Sequence, residues 1–64
     1  MKSNLIDITM DIHIRTKSAV LASDDGEKEN AVWLPLSQIE IEPLSHGLFQ
    51  ITMPEWLAKD KGLI

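Results

Sequence analysis

Few side chains in this sequence could do chemistry. There are two histidines, His13 in "LIDITMDIHIR" and His46 in "LSHG". His13 follows Asp11 by two residues, a spacing that puts both on one face of an extended strand. One imidazole and one carboxylate are too few ligands to hold a metal ion. His13 is therefore read as part of a solvated face, His46 beside Gly47 as a turn residue, and no metal or other cofactor is expected. Ser37 would need a base within hydrogen-bond reach and an oxyanion site to act as a nucleophile. Its sequence neighbours offer neither, so it is assigned to a turn. Gly26 stands alone, without the glycine pattern that cradles phosphate. The expectation is a protein that is not an enzyme.

Binding residues are easier to find. Asp7 and Asp11 share the polar face of one strand, and Glu40 and Glu42 that of another. Carboxylates at alternate strand positions are about 6.6 Å apart. Such a row reads first as an ordinary soluble face and second as an imitation of a row of phosphates. Trp33 and Trp56 are expected mainly in the core, and a tryptophan left part-exposed would anchor a partner. Asp7, Asp11, Glu40, Glu42, Trp33 and Trp56 are the candidate partner-binding residues.

The elements that must position these residues follow from periodicity. Over residues 5–15 apolar and polar residues alternate strictly: Ile6, Ile8, Met10, Ile12 and Ile14 on one side, Asp7, Thr9, Asp11, His13 and Arg15 on the other. That period, with β-branched residues, predicts a strand with one buried face. Further strands are predicted over 17–23, 31–35, 39–42 and 48–53, with a tight turn near Thr16–Ser18. "DDGEKEN" (24–30) has no apolar residue and reads as a solvated loop with hairpin chemistry at Asp25-Gly26. "PLSQ" reads as a turn of 3₁₀ helix, and "LSHG" (44–47) as a second hairpin loop. Pro54 suits the first position of a helix, Gly62 its left-handed cap, and a helix is predicted over 54–61 with Trp56 and Leu57 packed on the sheet. The fold expected is all-β: one domain over 1–64, a small five-stranded barrel or curved antiparallel sheet with one short C-terminal helix.

Composition narrows the class. Sixty-four residues without cysteine must fold on an apolar core alone, and 44% hydrophobic residues suffice for one. The formal charge of −4 argues against nonspecific nucleic-acid binding. No apolar run approaches a membrane span, and acids interrupt the apolar residues near the N-terminus, unlike a signal peptide. A cytoplasmic protein, without membrane contact, is expected.

Two resemblances add to this reading. "WLPLSQIEIE" resembles the end of the Src-homology-three-like small barrels, where an aromatic strand, a proline and a Ser-containing 3₁₀ turn lead into an acidic strand. Trp33, Pro35, Ser37, Ile39 and Glu40 match. The chain lacks that family's aromatic ligand-groove run, so binding of proline-rich peptides is not implied. "KSAVLAS", "AVWLPLSQIEIE" and "ITMPEWLAKDKGLI" together resemble a group of small bacteriophage and prophage proteins with a Trp-Leu-Pro-x-Ser-Gln-Ile core and a final Pro-Glu-Trp-Leu-Ala. That resemblance covers residues 17–64 and implies a phage setting, without a known activity.

The expected function is binding: a phage or prophage protein that occludes a surface of a host or phage protein complex, as an anti-defence (anti-CRISPR-like) or host-takeover inhibitor. The alternative is a nucleic-acid-associated accessory of phage replication or recombination, with Arg15, Lys17 and Lys28 as its basic set. Because the first strand is longer than the others and would leave unpaired length, a homodimer through this N-terminal strand is also expected.

Overall fold

The computed structural model describes residues 4–64. Five strands follow one another: β1 (Leu5–Arg15), β2 (Ala19–Ser23), β3 (Val32–Pro35), β4 (Glu40–Pro43) and β5 (Leu48–Pro54), and α1 (Glu55–Asp60) closes the chain. Short 3₁₀ turns, Lys28–Asn30 and Leu36–Gln38, precede β3 and β4. The sheet is antiparallel throughout, in the order β3-β2-β1-β5-β4. It stays open: β3 and β4 are its two edges, so the barrel expectation gives way to the curved sheet. Both edges are four residues long and end in a proline, which cannot extend a ladder.

The length of β1 is divided between two partners. Residues Leu5–Asp11 pair with β5, and Asp11–Arg15 pair with β2. In the second half Ile12 lies opposite Ala22 while Ile14 lies opposite Leu21, so His13 is an extra residue, a β-bulge. A bulge shifts the alternation by one. Ile6, Ile8, Met10 and Ile12 keep to the core side, but Ile14 crosses to the outer side, where it is 38% exposed. Arg15 crosses the other way and sets its guanidinium 5.9 Å from the centre of the Phe49 ring, a cation–π contact. The expectation that Ile14 shares a face with the other isoleucines is corrected by this one residue.

The core lies between the sheet's inner face and α1. Met10, Val20, Ala22, Leu34, Ile51, Met53, Leu57 and Ala58 are buried, and Ile39, Ile41 and Leu63 pack around them. The large side chains each stabilise the fold by roughly 1.5–3 kcal/mol. Both tryptophans depart from their expected place. Trp33 is opposite Leu21, on the outer side of an edge strand, and is 45% exposed. Trp56 is 58% exposed, since only Leu57 and Ala58 of α1 reach the core; six helical residues present one narrow apolar face.

The connections obey local chemistry. Thr16 closes the β1–β2 turn: its hydroxyl donates to the Ala19 carbonyl (3.0 Å) and accepts from the Ala19 N–H (3.1 Å). The predicted second strand therefore starts at Ala19, two residues later than expected. In the β4–β5 hairpin, His46 (φ 54°) and Gly47 (φ 81°) are both left-handed, and the Leu48 N–H donates to the Ser45 carbonyl, a type I′ turn. Pro54 is the residue before the helix rather than its first, and Glu55 takes the first position. Gly62 is left-handed (φ 74°), with its N–H on the Lys59 carbonyl and that of Leu63 on the Ala58 carbonyl, the Schellman pattern.

Candidate functional site

Strand register sorts the outer face of the sheet into three zones. The first is acidic. Asp7 lies opposite Thr52, and Thr52 opposite Glu40; one rung along, Thr9, Gln50 and Glu42 form a second row. The Thr52 hydroxyl donates to an Asp7 carboxylate oxygen. Among the described residues the ion pair is Lys59 with Glu55, at 3.9 Å on the helix, so Asp7, Glu40 and Glu42 carry no salt bridge there. The structure thus brings together three of the four predicted carboxylates, on strands distant in sequence.

The fourth, Asp11, belongs to a central zone covered by the chain itself. It lies opposite Ser23 on one side and Leu48 on the other. The loop between β2 and β3 folds back over it: a Cβ on Gly26, whose φ is +79°, would meet the Asp11 carboxylate at 3.3 Å. In this zone His13 Nε2 is 2.8 Å from Ser23 Oγ. The pair has the outline of a base and a nucleophile, but Ser23 is fully buried. A nucleophile must reach its substrate; this hydroxyl instead ties the bulge to the end of β2. Asp25 anchors the covering loop, taking the Glu27 N–H (2.9 Å) and the Asn30 amide (2.9 Å). Those two bonds, with the His13 charge nearby, hold its carboxyl below the usual aspartate range. Among the described residues no group of three or more His, Asp or Glu is placed to hold a metal ion.

The third zone is apolar: Ile14, Leu21 and Trp33 face outward in one cross-strand row. Trp33 therefore lies across the sheet from the acids, near the β3 edge, and Trp56 is on the helix in the other layer. The six predicted residues do not form one site. The basic set of the nucleic-acid alternative is also split. Arg15 lies over Phe49, Lys17 is in the β1–β2 turn, and Lys28 in a 3₁₀ turn.

Sequence reasoning missed a groove at the acidic end. Leu5, Ser37, Gln38, Ile39, Glu40 and Thr52 line a cleft of about 200 Å³. The 3₁₀ turn Leu36–Gln38 forms one wall and the start of β1 the other. The signal for Thr52 was present, since it alternates outward with Gln50. Its two acidic neighbours depend on register, which alternation within a strand does not encode.

No helix of the described residues is long and apolar enough to cross a membrane. No protein family model, curated protein or solved structure matches the chain.

Proposed function

We propose that this chain is a protein-binding domain of a phage or prophage, an inhibitor that occupies a surface of a bacterial protein complex. One observation carries the reading: the outer face presents Asp7 on β1 and Glu40 and Glu42 on β4, on either side of β5, with no ion pair to them among the described residues. Such a face attracts a basic surface, steers encounter and repels acidic competitors. The part-exposed Trp33 and Trp56 add aromatic area of the kind that anchors interfaces. The resemblance of residues 17–64 to small phage proteins supplies the setting.

The test compares two baits in lysate of a bacterial host, the parent domain and Asp7→Lys/Glu40→Lys. A host complex retained by the parent and lost from the variant is the expected result. Recovery of nothing above background, or of a complex indifferent to the charge reversal, overturns the reading. A gel shift of single-stranded DNA by the parent, abolished by salt, would favour the nucleic-acid accessory instead.

A further inference from the structure

We infer that the groove beside β4 seats one guanidinium group, an arginine side chain of the protein partner; this rests on the protein-binding reading above and names the chemistry of its partner. The donor and acceptor inventory of the groove leads there. The hydroxyl of Thr52 has a single hydrogen, and it is directed at Asp7. Toward the groove Thr52 therefore offers only lone pairs. Its neighbour Glu40, ionised, is likewise acceptor-only. The fixed polar groups ask for a ligand rich in donors, and the charges of Glu40 and, one strand beyond Thr52, of Asp7 ask for a cation. Ser37 and Gln38, on the 3₁₀ wall, adapt to either role.

Size and lining limit the ligand further. At about 200 Å³ the cleft is smaller than the roughly 300–1,000 Å³ of small-molecule sites, and suits one long side chain. Leu5, 63% exposed, and Ile39 give apolar walls for a methylene stem. Glu40 begins an edge strand, so a foreign chain can approach from the open side. A planar guanidinium matches a carboxylate through two parallel bonds and sheds water more readily than an ammonium. The chain's own single arginine, Arg15, rests over Phe49, so a second copy would have to give up that contact to supply the occupant, which favours a different partner.

The experiment is an amide NMR titration with N-acetyl-arginine-N-methylamide, and with its lysine and norleucine counterparts. The expected result is shifts confined to Leu5, residues 37–40 and Thr52, larger for arginine than lysine and absent for norleucine. Glu40→Gln should weaken arginine binding about threefold, as a partly exposed charge pair warrants, while Glu29→Gln, in the 3₁₀ turn before β3, leaves it unchanged. Absence of shifts in the groove, or equal binding by Glu40→Gln, overturns the assignment. If the probe fails while a host complex still depends on Asp7 and Glu40, the seat is wrong and the protein-binding reading survives. If the probe binds and no complex is captured, the seat holds and that reading falls.

Discussion

Asp25 is exposed, yet both oxygens of its carboxylate are engaged, by the Glu27 N–H and the Asn30 amide. Ionised oxygens accept these bonds better than protonated ones, which lowers the folded-state pKa below its ordinary value. The sign of the linkage follows: the contribution to stability is present above the unfolded pKa and is lost as pH falls through the folded one. Asp25→Ala should therefore melt slightly lower than the parent at neutral pH, with the difference closing as acid protonates Asp25 in the parent. Thermal melts from neutral pH down to the acid side of the aspartate range check this. A difference constant over that range would mean the side chain acts through packing rather than charge. The chain showed Asp25-Gly26 as turn chemistry, and Gly26 is indeed left-handed. The fold-back of that turn over Asp11 was not legible, because it depends on where two distant segments meet.

At the scale of elements, β1 separates what alternation reveals from what it hides. Strict period two over residues 5–15 identified the strand, its ends and the inward set through Ile12. It also predicted an unbroken face, and the bulge at His13 ends that face. Bulges leave little trace in apolar patterning, since Ile14 after the bulge is as hydrophobic as Ile12 before it. The structure now assigns them opposite roles. Ile12 packs against the core cluster and Ile14 faces outward. Ile12→Asp should cost several kcal/mol, the penalty of an unpaired charge in an apolar place. Ile14→Asp should stay within about 1 kcal/mol, as outward substitutions usually do. Urea melts of the two variants decide it, and equal losses would remove the bulge. The C-terminal helix was legible from Glu55, Lys59 and Gly62. Its contact face was not, because six residues leave too little periodicity to tell Trp56 from Leu57.

For the whole molecule, short strands in sequence suggested closure into a barrel, and pairing decides otherwise. The two edges β3 and β4 end at Pro35 and Pro43 and do not meet. The case for self-association through the first strand began from its unpaired length. Apart from the bulged His13, every residue of β1 now has a partner strand, β5 along its first half and β2 along its second, and only Asp11 has both. What is left is the backbone of residues 5–10 on the side of β2 and of residues 12–15 on the side of β5. Two copies joined through the first of these across a two-fold axis would also set Asp7 and Thr9 of one beside those of the other, opposing like charges that disfavour a pair. The outer edges are no better suited. Each is four residues long and ends in a proline, and β4 carries Glu40 and Glu42, features that blunt edge-to-edge pairing. The free chain should therefore scatter light as a monomer at micromolar concentration, with a mass that does not rise on concentration. A mass near double, returned to that of one chain by Thr9→Pro in a still-folded protein, would place a dimer contact on β1, because proline removes a ladder donor. A doubled mass untouched by Thr9→Pro but lost with Trp33→Ala would instead assign the contact to the apolar row of Ile14, Leu21 and Trp33.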